Sequence, residues 1–227
     1  RMAKGQVLIA DRHEKEGLAE MKQAHESEPN DRDLALIYAR ALSRAKQPKE
    51  SEQVLEALLR RHPGDPEPRL AMVEARLLAN DVGAAAQAAK EAEQVGLSHP
   101  IIFHAQARAR EDARELTPAI GLYRRALEED SRYGPSLLRL ARLYQQTKQP
   151  EDAISIFERA REAGLLGTAE KLELIELYAQ TRTNVQRGLN MIGELLAADP
   201  KNKRYLELQQ KLKAARRNTG GGMQIIR

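Results

Sequence analysis

The chain has 227 residues, 41% apolar, 31% charged and only 4% aromatic, with neither Trp nor Cys. Ala, Leu, Glu, Arg and Gln dominate, a helix-former's alphabet, and β-branched residues are too sparse for a sheet of any size. The missing cysteine excludes disulfides, thiolate metal sites and thiol nucleophiles, and 37 basic against 33 acidic side chains leave a net charge of +4, too small a surplus to argue for nucleic acid.

Along the chain, residues 2–10 read as a helix. Arg1 already lies inside this pattern, so residues are expected to precede it, and the compartment stays open between cytoplasm and periplasm. No apolar run reaches the roughly 18 residues a membrane span needs, and no signal peptide is visible. Next comes a small residue, an apolar one four later and an apolar or small one three further: Gly17, Met21, Ala24. The set returns as Ser51, Leu55, Leu58; Ala85, Ala89, Ala92; Ala119, Tyr123, Ala126; and Ala153, Phe157, Ala160, each 34 residues after the last. Gly188, Ile192 and Leu195 follow after 35, which puts one extra residue within 180–186. Spacing of i, i+4, i+7 lines one face of a helix. The small first residue lets a neighbouring helix approach, and the bulky second fills the space beside it.

Pro29, Pro63 and Pro200 each stand twelve residues after a first-position residue, where proline ends the helix. Leu97, Ser131 and Leu165 hold that place in the other units and make a chemically looser stop. A second helical stretch lies upstream of each set, joined to it by a short turn. Tyr38, Ala39 and Leu42 lead through 46–48 to Ser51, and Leu137, Leu140, Ala141 and Tyr144 lead through 148–150 to Ala153. Each unit is a helix hairpin that cannot bury its apolar face alone.

These residues resemble the tetratricopeptide repeat over about residues 1–202, with Gly5, Ala39, Ala107 and Ala141 at its small first-helix position. Arg76 and Arg110 depart from it, standing where an aromatic or Leu is usual, and imply first helices shifted by a residue in the third and fourth units. The resemblance implies an all-α, right-handed superhelical solenoid. Its six repeats cover 1–31, 32–65, 66–99, 100–133, 134–167 and 168–202, followed by a capping helix over 203–217. Residues 218–222 (NTGGG) read as a flexible break, and 223–227 as a disordered end or a strand-like segment that docks elsewhere.

Catalytic signatures are missing. His13-Glu14 and His25-Glu26 lack a second His four residues on, so the zinc-helix arrangement is not made. His99 and His104 straddle a helix start, a poor geometry for sharing a metal, and read as surface or groove residues. There is no phosphate-binding glycine loop and no nucleophile elbow. Neither catalysis, nor a metal, nor a cofactor is expected. Basic clusters at Arg60-Arg61, Arg124-Arg125, 201–204 and 211–217 are interleaved with acids and lack aromatics for base stacking, which disfavours nucleic acid.

The resemblance further implies a protein-binding scaffold whose first helices line a concave groove. Carried over, its ninth position gives Gln6, Arg40, Glu74, Arg108, Arg142 and Glu176. Leu36, Arg44, Leu70, Leu77, His104, Leu138, Arg139, Gln145 and Leu172 share that face. One branch of the family clamps a C-terminal carboxylate with Lys and Asn. Here Met2, Gln6 and Ile37 stand in those places, so chaperone-tail recognition is not expected. The arginines and leucines suit an extended or helical segment carrying acidic residues beside Leu-sized groups. Two other readings stay open: an architectural module that self-associates, and a substrate-docking arm of a longer enzyme.

Overall fold

In the computed structural model, residues 1–219 are described, and they hold thirteen helices and no strand. The helices fall into two compact units, one ending at Ser131 and the other starting at Arg132. The first unit comprises α1 (Met2–Ala10), α2 (Glu14–Ser27), α3 (Arg32–Arg44), α4 (Pro48–Arg61), α5 (Pro66–Leu78), α6 (Val82–Gln94), α7 (Pro100–Asp112) and α8 (Leu116–Glu129). The second comprises α9 (Gly134–Gln146), α10 (Pro150–Glu162), α11 (Thr168–Thr181), α12 (Val185–Ala198) and α13 (Lys203–Thr219). The chain is an all-α helical-repeat solenoid, built from hairpins of a first and a second helix.

The small residues sit in the hairpin seams. Ser51, Ala85, Ala119 and Ala153 are fully buried, as are Leu55, Ala89, Tyr123, Phe157 and Ile192 four residues after a seam position. In α1 and α2 the backbones touch: a Cβ on Gly5 would stand 2.7 Å from the Gly17 carbonyl oxygen, and one on Gly17 would stand 2.7 Å from that of Gly5. Glycine is required at both, because backbone meets backbone there.

The period is also written into the backbone. Arg12, Lys46, Asn80, Arg114, Lys148 and Arg182 all take the left-handed conformation, with φ between 58° and 67°, at intervals of 34. After each of the first five, the next N–H donates to a carbonyl five residues back, as from Gln47 to Leu42 (2.9 Å) and Gln149 to Tyr144 (2.8 Å). This satisfies the last carbonyls of the first helix and reverses the chain. The residue added to the sixth unit follows Arg182, with Asn184 left-handed as well (φ 49°).

Five of the six second helices end in one of two ways. α2, α4 and α12 stop two residues before Pro29, Pro63 and Pro200, and the linking residues Glu28, His62 and Asp199 leave the helical region, with ψ between 67° and 81°, in keeping with the clash that disfavours helical backbone before proline. α6 and α10 stop at Gly96 (φ 85°) and Gly164 (φ 73°), after which the Leu97 and Leu165 N–H groups reach back to Ala92 and Ala160. In place of the looser stop expected at Leu97 and Leu165, the chain uses a glycine one residue earlier.

Two expectations are corrected here. α5 and α7 begin in step with α3 and α9, so Arg76 and Arg110 mark no shift of those helices. Arg76 instead lays its guanidinium on the Ala84 carbonyl (3.2 Å) over the all-alanine face of α6, and Arg110 turns outward to Glu115 (2.6 Å). In the α7–α8 hairpin Tyr123 occupies the seam, fully buried, with its hydroxyl donating to Glu111 (2.6 Å). The second correction concerns the cap. α13 runs through 218–219, residues assigned above to the glycine break, and buries Leu208, Leu212 and Ala215. Residues 220–227, and with them the docking segment 223–227, lie outside the described residues.

Candidate functional site: the faces of the first helices

In the first unit, α3 and α5 meet through charge. Arg40 donates to Glu67 at 2.7 Å and stands 4.0 Å from Glu74, and Arg44 stands 4.0 Å from the other oxygen of Glu74. Arg40 is half-buried, while the Arg44 side chain is 73% exposed. At the N-terminus of α5, Asp65 caps the helix through the Glu67 N–H and takes the Arg32 guanidinium from the preceding hairpin. That guanidinium holds the Asp65 carboxyl below the usual carboxylate range. Among the described residues, Arg108 on α7 reaches only Asn80, at 3.4 Å.

His104 does not join this face. It is 5% exposed, with its ring 5.5 Å from that of Tyr123, and so belongs to the core of the α7–α8 hairpin. The expectation that it meets a ligand, or lies at the surface, is corrected accordingly. Leu36 and Leu172, also carried over as lining, are core residues at 5% exposure. The sequence hinted at this for His104: it lies among Ile101, Ile102, Phe103 and Ala105, an apolar run that buries α7 over most of its girth.

In the second unit Arg142 spans α9 and α11. Its Nη2 bonds Glu173 at 2.7 Å and Glu170 at 2.8 Å, and its Nε is 3.1 Å from both Glu173 oxygens. The Glu173 carboxylate, with help from Glu170, pushes the Arg142 pKa above its ordinary value. Leu138, Arg139 and Gln145 lie half-buried on α9, and Glu176 on α11 faces Lys211 of α13 at 3.7 Å. Arg40 and Arg142 thus serve first as ties between successive hairpins, and Arg44 is the most exposed guanidinium of the set.

A further tie escaped the sequence reading. Glu158 on α10 accepts from Tyr178 on α11, from Arg161 at 2.6 Å and from Arg187 on α12 at 2.5 Å. Burial by itself would raise its pKa, but these three donors outweigh burial and hold the carboxyl low. Only the Glu158–Arg161 spacing is visible in the sequence; the other partners stand 20 and 29 residues away.

Two cavities open between first helices. One, of about 510 Å³, lies between α1 and α3, with Ile9, Ala10, Ile37 and Ala41 as walls and Met21 beneath. Gln6, Glu14, Arg40 and Arg44 stand at its rim. The other, of about 480 Å³, lies between α9 and α11 among Gln145, Lys148, Glu173, Glu176 and Gln180. Among the described residues no cluster of three His, Asp or Glu side chains is placed to hold a metal ion, and no helix is long and apolar enough to cross a membrane.

The tetratricopeptide repeat family matches residues 8–77 and 111–165. A search of the curated proteins finds no match. Among solved structures the chain is similar to the Cut9–Hcn1 hetero-tetramer of the APC/C (TM-score 0.69, 11% identity), covering 93% of this chain and 42% of that one. The chain therefore spans less than half the length of that relative. It is similar to pilF of Pseudomonas aeruginosa (TM-score 0.69, 15% identity, 92% of this chain and 95% of that). It is also similar to PilW, described as a widely conserved type IV pilus biogenesis factor (TM-score 0.69, 15% identity, 91% and 96%). These identities speak to fold alone. With the family matched over more than half its length and twelve of the described helices paired in hairpins of 34 or 35 residues, the chain belongs to the tetratricopeptide repeat family, whose fold suggests a protein–protein interaction scaffold.

Proposed function

We propose that the chain is a non-catalytic adaptor that holds a segment of a partner protein on the faces of its first helices, within a larger protein or assembly. The observation that carries this reading is the residue content of those faces. They combine half-buried apolar side chains, Ile9, Ile37, Leu70, Leu77 and Leu138, with guanidiniums at Arg44 and Arg108 that their own neighbours engage only weakly. Apolar walls gain from being covered, and an exposed guanidinium forms charge-assisted bonds with a carboxylate. The favoured ligand is a peptide segment with acidic residues beside Leu-sized groups. Arg40, Glu74, Arg139, Arg142, Gln145 and Glu176 line the same faces and set shape and register, several of them already joined to neighbours.

The test is charge reversal at the two weakly engaged arginines, Arg44→Glu with Arg108→Glu. Affinity capture with the wild type and the double variant, read by mass spectrometry, is expected to lose the wild type's specific partner while the helical circular dichroism stays unchanged. Retention of that partner at equal yield by a folded double variant contradicts the reading.

A further inference from the structure

The cavity between α1 and α3 and the cavity between α9 and α11 are the same place in the repeat. Ile9, Ile37, Ala41 and Arg44 at the first stand four 34-residue periods before Gln145, Glu173, Leu177 and Gln180 at the second. Successive first helices therefore leave an equivalent recess in both units, and its chemistry is set by the side chains alone. Around the second recess those side chains are mostly amides and carboxylates. Around the first they are aliphatic walls over a methionine, with guanidiniums from α3 and the Glu14 carboxylate from the start of α2.

Three observations point to what the first recess takes. Ile9, Ala10, Ile37, Ala41 and Met21 give it aliphatic walls, and a polar side chain packed against them gives up water without replacement. Ile9, Ile37 and Ala41 are half-buried and rest on the core of Leu18, Met21, Tyr38 and Leu42, which holds the walls in place. Among the described residues Arg44 has only the Glu74 oxygen at 4.0 Å, whereas Arg40 is taken up by Glu67 at 2.7 Å. We infer, on the footing of the adaptor reading above, that this recess is the anchoring socket of the chain: it receives one aliphatic side chain (Leu, Ile or Met) of the partner segment, and Arg44 binds an Asp or Glu next to it. Glu14 fixes the direction of the segment, because the reversed orientation would bring the ligand's carboxylate against its own.

The test uses short fluorescein-labelled synthetic peptides of Gly and Ser carrying a central Leu flanked by Asp. Matched controls have the Leu changed to Ser, or the Asp changed to Lys. Isoleucine-methyl NMR of the whole chain locates the binding, with Ile9 and Ile37 in the socket and the fully buried Ile102 and Ile175 as references. The Leu-Asp peptide is expected to shift the Ile9 and Ile37 methyls and leave the references in place. Both control peptides are expected to bind at least about tenfold more weakly, as is the Leu-Asp peptide to Arg44→Glu, about the loss of one charge-assisted contact. Ala10→Phe, which fills the recess from an exposed position, is expected to block binding with the fold intact. Binding that moves other methyls but not those of Ile9 and Ile37 overturns the socket and leaves the adaptor reading standing. A Leu-Asp peptide that fails to bind at millimolar concentration, together with unchanged capture by the double arginine variant, overturns both.

Discussion

The hydroxyl oxygens of Ser43 and Ser51 lie 2.7 Å apart in the buried seam between α3 and α4, and both reach the carbonyl oxygen of Ala39. Ser51 is the small residue of its hairpin, at the place where the third, fourth and fifth hairpins carry Ala85, Ala119 and Ala153. The seam there accepts a hydroxyl because Ser43 and the carbonyl satisfy it. Ser51→Ala removes one partner and is expected to cost about 1 kcal/mol, whereas Ser43→Ala with Ser51→Ala leaves an alanine seam like the others and is expected to cost less than the two singles together. Urea titration of the four proteins of the cycle gives the coupling, about 0.5–1.5 kcal/mol. A strictly additive double variant contradicts the arrangement.

Glycines on these helices should respond to alanine with opposite signs. A Cβ on Gly5 would meet Met21 Cγ at 2.4 Å and the Gly17 carbonyl at 2.7 Å, but one on Gly121 in α8 meets nothing within 4 Å. Gly5→Ala is expected to destabilise by about 1–3 kcal/mol through overpacking. Gly121→Ala is expected to stabilise by about 0.5–1 kcal/mol, the ordinary gain of alanine in an open helix position. Thermal unfolding of the two variants checks both signs.

Left-handed turns make a third case. Lys148 holds φ at 58° without the freedom glycine has there. Lys148→Gly removes a conformational penalty of about 1–2 kcal/mol and adds an entropic cost of about 0.5–1 kcal/mol, so a small net gain in stability is expected. Lys148→Val, branched at Cβ, is expected to destabilise. Midpoints of denaturant unfolding rank the three proteins.

The Glu158 cluster ties stability to pH. Its folded-state pKa is depressed, against an ordinary value of 4.5, so its stabilisation is present in full above that value and is lost as pH falls through the lower folded value. Glu158→Gln should therefore cost stability at neutral pH, about 1–3 kcal/mol for three charge-assisted bonds weakened at once. The gap from wild type should narrow steadily below pH 4.5, as the wild-type carboxyl protonates. Chemical denaturation at neutral and acid pH measures the gap. A gap that widens with acid contradicts the sign.

The period was legible because seam residues must be small wherever two helices touch, and that demand recurs in Gly17, Ser51, Ala85, Ala119 and Ala153. The left-handed turns at Arg12, Lys46, Arg114, Lys148 and Arg182 share the same period but hide it, because their backbone geometry is one a sequence signals with Gly or Asn and only Asn80 obliges. The faces of the first helices were legible as a set of positions and not as chemistry. Whether an arginine is open depends on which acid the next helix brings opposite it. Arg40 meets Glu67 and Arg142 meets Glu173, 27 and 31 residues on, across a packing that no local pattern encodes. His104 fails for a related reason: a ring at a lining position is buried when the second helix of its hairpin presents a residue as large as Tyr123.

The central claim, that partners are held by first helices and not by second ones, is tested most directly by amide hydrogen exchange on the chain alone and bound to its captured partner. The expected result is new protection along α1, α3, α5 and α7 in the first unit and along α9 and α11 in the second, while α2, α4, α6, α8, α10 and α12 exchange as before. Protection confined to those second helices, with the first helices unchanged, contradicts it.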